Sequence, residues 1–178
     1  FSDRGRVYWL KVHQIPDVGP GARGKAIANL VSMRTDERIA ALLAVKEFDQ
    51  DHYVVMGTRH GRVKKTALTA FSNPRAGGIV AMGVGEEDVV MAVQISTGEG
   101  EIFMGTRSGM SIRFRESNVR SMGRTAQGVR GINLRDGDTV VAMEVLQSEA
   151  TILTVTAHGY GKRTNLSEYR LQSRGGVG

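Results

Sequence analysis

Four similar strings, each with a hydroxyl residue three places before a glycine, recur along the chain at a spacing of roughly 50 residues. The strings are Ser2-Asp3-Arg4-Gly5, Thr58-Arg59-His60-Gly61, Thr106-Arg107-Ser108-Gly109 and Thr156-Ala157-His158-Gly159. Glycines 5, 61, 109 and 159 set a period of roughly 50 residues, the range of propeller blades and other repeat architectures. Ten residues after each glycine comes Ile15, Phe71, Val119 or Tyr169, always apolar or aromatic. A second glycine segment is read at Gly24, Gly78, Gly128 and Gly176. Three units then place an acid beside an apolar run: Glu37-Arg38-Ile39, Asp88-Val89-Val90 and Asp138-Thr139-Val140. The repeats are drawn at approximately 1–50, 51–99, 100–149 and 150–178. A chain with this period folds as an array of similar small units around shared interfaces.

Each unit reads as β. Val54-Val55-Met56, Ile102-Phe103-Met104 and Ile152-Leu153-Thr154-Val155 are short apolar runs that end in a turn. The turn at 59–62 suits a tight hairpin, because its glycine tolerates the positive φ that a β-carbon opposes. After it, 62–68 and 110–115 partly alternate, as half-buried strands do. The segments 89–95 and 140–145 supply a further β-branched strand. About four strands per unit is the content of a propeller blade. Residues 35–46, with Glu37-Arg38-Ile39-Ala40-Ala41-Leu42-Leu43, have helical propensity. Their counterparts in the next two units are Val-rich, so they are expected to be a strand. The fold class is therefore all-β, an array of four-stranded blades of about 50 residues.

Charge comes in blocks. Lys and Arg number 24 against 18 Asp and Glu, a net of +6. Residues 59–75 hold five bases and no acid, 107–135 hold seven Arg and Glu116, and 76–101 hold five acids and no base. Blocks of one sign point to a polyanion partner more than the total does. No run of about 18 apolar residues exists, so no membrane-spanning helix is expected. The absence of cysteine excludes disulfides and thiolate metal sites and fits a cytoplasmic setting. With no initiating Met and a terminal Gly178, the chain reads as a piece of something longer.

Catalytic chemistry has no visible carrier. His13, His52, His60 and His158 lack metal-ligand spacing, so no metal is expected. Gly159-Tyr160-Gly161-Lys162-Arg163-Thr164 looks like a phosphate loop, but GxxxxGK[ST] needs glycine where Thr156 stands. Glu86-Glu87-Asp88 reads as an acidic loop tip. Tyr8 and Trp9, where other units carry Lys64-Lys65, Ile112-Arg113 and Lys162-Arg163, read as packing residues. No Ser/His/Asp set is present, and no cofactor is expected here.

Together with the repeat, Arg4-Gly5-Arg6-Val7-Tyr8, Gly21-Ala22-Arg23-Gly24-Lys25, Val63-Lys64-Lys65-Thr66, Gly128-Val129-Arg130-Gly131-Ile132 and Gly159-Tyr160-Gly161-Lys162-Arg163-Thr164 carry a resemblance. The chain resembles the C-terminal domain of the A subunit of bacterial DNA gyrase, with the equivalent domain of topoisomerase IV the near alternative. The resemblance implies a β-pinwheel, a propeller-like arrangement whose blades exchange strands with their neighbours. It also implies non-sequence-specific wrapping of double-stranded DNA in support of negative supercoiling. The partners it implies are the remainder of the gyrase A polypeptide and the gyrase B polypeptide. ATP and Mg would serve the holoenzyme rather than this domain. The family carries a box of the form Q-[RK]-R-G-G-[RK]-G. The chain's Gln172-Ser173-Arg174-Gly175-Gly176-Val177-Gly178 keeps Gln172, Arg174, Gly175, Gly176 and Gly178 but has Ser173 and Val177 in place of two bases.

The DNA contacts expected on this reading are Arg23, Lys25, Arg62, Lys64, Lys65, Arg75, Arg113, Arg115, Arg120, Arg124, Arg130, Lys162, Arg163 and Arg174. All should lie exposed on an outer rim, with the apolar alternates buried. The rival reading is a propeller used as a protein-interaction scaffold. It calls for exposed aromatic loop tips rather than a basic stripe.

Overall fold

The computed structural model describes residues 1–146 and 149–178. Among the described residues eleven strands are formed in chain order: β1 (Arg6–Val7), β2 (Tyr53–Thr58), β3 (Arg62–Ala67), β4 (Ile79–Val80), β5 (Val90–Ser96), β6 (Glu101–Thr106), β7 (Ser111–Arg115), β8 (Val129–Arg130), β9 (Val140–Leu146), β10 (Thr151–Val155) and β11 (Gly161–Asn165). Short 3-10 turns follow the second strands, at Val12–Gln14, Leu68–Phe71, Glu116–Asn118 and Leu166–Glu168.

The repeat signature is a hairpin device. Each glycine donates its N–H to the carbonyl three residues back, at 3.0–3.1 Å. The hydroxyls of Ser2, Thr58, Thr106 and Thr156 accept the N–H one residue beyond the glycine, at 3.1–3.2 Å. The glycine itself sits at φ +74°, +81°, +85° or +83°, where a β-carbon is costly. The distant acid completes two of these turns. Asp88 Oδ1 accepts the N–H of His60 and Val89, and Asp138 Oδ1 accepts those of Ser108 and Thr139. Within 86–88, then, Glu86 and Glu87 are the exposed tip, whereas Asp88 is buried.

The sheets exchange strands. One blade runs β5-β2-β3-β8, antiparallel throughout, and its edge strand β8 comes from the following unit. The second unit's β4 pairs in the same way with β1 of the first. The next blade runs β7-β6-β9, and Arg113 on β7 bridges Leu171 of the fourth unit. A register shift recurs at Gly57/Thr58 and Gly105/Thr106, a bulge that bends the first strand into its turn.

The core lies between sheets. Val54 and Met56 pack with Val7, Phe71 and Ile79 of one cluster, while Val55 packs with Ile102, Phe114 and Val119 of another. β2 is thus covered on both faces, which explains its unbroken apolar run rather than an alternation.

Two sequence expectations are corrected. Residues 35–46 form no helix and no ladder strand: Ile39 makes a single bridge to Ser2, and Ala40 and Ala41 donate to Phe1 O. They run extended because their hydrogen-bonding partner is one short segment. The second repeat glycine of the fourth unit is Gly178, not Gly176. Gly78, Gly128 and Gly178 all have positive φ, and a β-carbon on each would come within 2.5–2.8 Å of the carbonyl oxygen of Val7, Val63 or Ser111. Backbone crosses backbone at that point, so only glycine fits.

Candidate nucleic-acid interface

The second strands carry seven of the fourteen expected cations, and four of these, Arg62, Lys64, Lys65 and Arg113, point at backbone carbonyls of the neighbouring unit. Arg62 donates through Nε to Gln127 O (3.0 Å) and through Nη2 to Gly128 O (3.0 Å). Arg6 makes the same clasp on Gly77 O and Gly78 O, at 2.7 and 3.0 Å. Arg113 is held by Glu101 Oε2 at 2.6 Å and donates to Leu166 O and Tyr169 O, at 2.9 and 3.0 Å. These arginines tie one repeat to the next, since carbonyls at loop ends lack ladder partners and a guanidinium can serve two at once.

Lys64 and Lys65 are not on an outer surface. Lys64 is 0% exposed and Lys65 7%, because β3 is packed between two sheets. Lys64 Nζ donates to Ala81 O at 2.6 Å and to Arg124 O. Burial, and then the nearby charge of Arg124, lowers its pKa from 10.5 to about 8. Lys65 Nζ lies 3.6 Å from Glu116 Oε1 and 5.0 Å over the Tyr53 ring, and Ser96 donates to the same carboxylate at 2.6 Å. A buried cation in this setting is held by acceptors in fixed positions and has no access to a phosphate.

The exposed cations lie elsewhere. Arg75, Arg115, Arg120 and Arg130 are exposed, on or near the loops that lead from a 3-10 turn into an exchanged strand. Arg23 and Lys25 are exposed in the corresponding loop of the first unit, and Lys162 and Arg163 on β11. Arg124 is half-buried. The box-like segment is seated on the preceding unit: Gln172 N–H donates to Arg113 O, Gly175 N–H to Gly131 O, and Gly176 O accepts the N–H of Asn133, each at 2.8 Å. Arg174 is half-buried and donates to Asn118 O and Arg130 O. It braces β8, which carries Arg130.

Residues 1–46, 52–97, 100–147 and 150–178 match the family model described as "DNA gyrase C-terminal domain, beta-propeller". The chain belongs to the DNA gyrase C-terminal domain family. It is 48% identical over 174 residues to the DNA gyrase A polypeptide of Salmonella typhimurium, covering 98% of this chain and 20% of that protein. It is 43% identical over 184 residues to the DNA gyrase A polypeptide of Haloquadratum walsbyi, covering 100% of this chain and 22% of that protein. The chain thus spans about a fifth of the length of these curated relatives. The solved C-terminal domain of DNA topoisomerase IV superposes with a TM-score of 0.91 at 30% identity, over 100% of this chain and 56% of that one. The DNA gyrase A C-terminal domain gives 0.85 at 25%, over 99% and 57%. As in those gyrase-family domains, the fold is a β-pinwheel of exchanged strands.

Within this gyrase-family fold, several further cations stand outside the expected contact set. Arg170 stands eleven after its hairpin glycine, as Arg120 does, and both are exposed. Arg59 and Arg107 share a position two before the glycine and are exposed, Arg59 donating to Glu87 O at 2.9 Å. The repeat register would have found all three. The bracing role of Arg6 had no comparable signal, since its acceptors lie 71 and 72 residues away. Among the described residues, no group of three or more His, Asp or Glu could hold a metal ion, and no helix is long and apolar enough to cross a membrane.

Proposed function

We propose that this domain binds and bends duplex DNA without reading its sequence, in the service of negative supercoiling by a type IIA topoisomerase. One observation carries the reading: the exposed arginines recur on equivalent exchange loops, while a separate set of cations locks those loops in place. Exposed guanidinium groups on successive loops, with Arg120 and Arg170 at the same repeat position, suit a row of phosphates, and phosphate contacts carry no base information. Curving a site of 20–30 base pairs costs of order 1–6 kcal/mol, which several contacts offset. The working contact set is Arg23, Lys25, Arg75, Arg115, Arg120, Arg130 and Arg170, with Lys162 and Arg163 on β11.

The division into repeats near 1–50, 51–99, 100–149 and 150–178 belongs to this proposal. So do the larger assembly of gyrase A with gyrase B polypeptides, the use of ATP and Mg outside this domain, and a cytoplasmic setting. The test is a salt titration of binding to two unrelated duplexes. With about six phosphates engaged, log K should fall against log salt with a slope near −5, from about 0.9 per contact. A strong preference for one duplex, or a flat salt dependence, refutes the reading.

A further inference from the structure

The exchange loop of the third unit is held in place by the unit before it. That loop runs from Val119 into β8 and carries Arg120 and Arg130, both exposed, with Arg124 half-buried between them in sequence. Lys65 O accepts the N–H of Met122 at 2.8 Å, and Ala126 O accepts the N–H of Gly83 at 3.1 Å. Arg62 clasps Gln127 O and Gly128 O. The middle of the loop rests on one amine: Lys64 Nζ donates to Arg124 O, and to Ala81 O of its own unit at 2.6 Å.

Packing alone does not call for an amine there. Ile112 holds the same place, three after its hairpin glycine, in the third unit, and it is buried too. A charge taken out of water is costly unless it is bonded and balanced. The surroundings of Lys64 bond it but do not balance it. Met56 lies opposite on β2, and residues 79–83 contain no ionisable side chain. The exchange loop brings Arg124, with Arg130 exposed at its far end. On its own strand Arg62 is turned to Gln127 and Gly128, and Lys65 to Glu116. Burial, and then the like charge of Arg124, lowers the Lys64 pKa to about 8, so the amine is poised between its two forms in mildly alkaline solution.

We propose that Lys64 is a positioning residue of the DNA interface: through Arg124 O it sets where Arg120 and Arg130 stand, and it takes up a proton from solvent as phosphates settle on that loop. The inference rests on the DNA reading above. Two effects favour the ammonium once DNA is bound. Phosphates on Arg120 and Arg130 offset the charge of Arg124 between them and attract the buried cation themselves. An ammonium also donates to Arg124 O more strongly than a neutral amine, so the loop is better held in that form. Proton and DNA are therefore linked, each raising the affinity for the other. A group whose pKa is raised in the complex strengthens binding below its free value and loses that contribution as pH rises through the bound one. For a rise of about one unit from the free value of about 8, affinity falls about fivefold between pH 7 and 9, and about half a proton is taken up at pH 8.5.

The experiment is a carbon-13 titration of the lysine ε-carbons of the chain, free and saturated with a duplex of about 30 base pairs, beside the affinity for that duplex over the same pH range. The Lys64 resonance, identified by its loss in Lys64→Met, should titrate near pH 8 in the free chain and about one unit higher in the complex. Wild-type affinity should fall severalfold from pH 7 to 9. Lys64→Met should bind with an affinity flat over that range and with the wild-type salt slope, which loss of a phosphate contact would make shallower by about one. Should Lys64→Met fail to fold, through-bond assignment of the wild-type resonance gives the same titration. Arg124→Gln keeps the carbonyl that Lys64 holds; in that variant the free resonance should titrate higher and move less on adding DNA. A Lys64 resonance whose titration DNA leaves unmoved, or a fall in affinity that persists in Lys64→Met, overturns the proposal and leaves the DNA reading standing. A flat salt dependence overturns the DNA reading and this proposal with it.

Discussion

Lys64→Met separates a buried brace from a surface contact. Methionine keeps most of the apolar stem but leaves Ala81 O and Arg124 O without the Nζ donor. A buried carbonyl stripped of its partner costs about 1–3 kcal/mol, so the gross loss is ~2–6 kcal/mol. The substitution also removes a cation whose pKa has fallen from 10.5 to about 8. At about 1.4 kcal/mol per tenfold, that relieves ~3 kcal/mol at pH 7. The net destabilisation at pH 7 is therefore modest, about −1 to 3 kcal/mol, and the pH dependence decides more. Between pH 8 and 10.5 the unfolded lysine holds its proton while the folded one has lost it, so wild-type stability rises with pH. With those two values the rise from pH 7 to 9.5 is ~2 kcal/mol. Methionine cannot titrate, so the gap between wild type and variant should widen by that amount. Urea unfolding of both proteins at pH 7, 8, 9 and 9.5 measures it. A gap that stays constant over this range refutes the buried-amine account. So does a variant of unchanged stability whose DNA-binding salt slope has become shallower by about one.

Reversing Arg120 and Arg130 together should leave thermal unfolding within a few degrees of wild type and make the salt slope shallower by roughly two. Glu replacements at Lys64 and Lys65 should instead unfold the chain before any slope can be read, as circular dichroism would record. Gly128→Ala forces a β-carbon to 2.5 Å from Val63 O at φ +77°, and should cost about 2 kcal/mol or more in denaturant unfolding. Asp138 has its pKa lowered, first by the Thr106 hydroxyl and also by the Ser108 and Thr139 amides. Its contribution is therefore present above the unfolded value and lost as pH falls through the folded one; Asp138→Asn should flatten the acid limb of a stability–pH curve. Changing Glu86 and Glu87 to Gln should leave DNA affinity unchanged or slightly raised, by the same salt titration.

The sequence by itself determined the recurring hairpins. Ser2, Thr58, Thr106 and Thr156 bond to amides four residues away, and the positive-φ glycine lies between them. Such devices are local, so spacing alone reveals them. The apolar first strands and the β-branched strands at 90–96 and 140–146 were legible for the same reason. The tertiary structure alone decided what each cation does. Arg62, Lys64 and Arg75 fall in one acid-free block, yet Arg62 clasps Gly128, Lys64 is buried, and Arg75 faces solvent. Lys64 bonds to partners 17 and 60 residues along the chain, and no periodicity encodes a contact of that span. The box-like segment was found by pattern, but its seat against Arg113 and Gly131 follows from strand exchange between units. Whether a lysine meets water or a neighbour's carbonyl depends on which sheet covers its strand, and that is settled only when the blades pack.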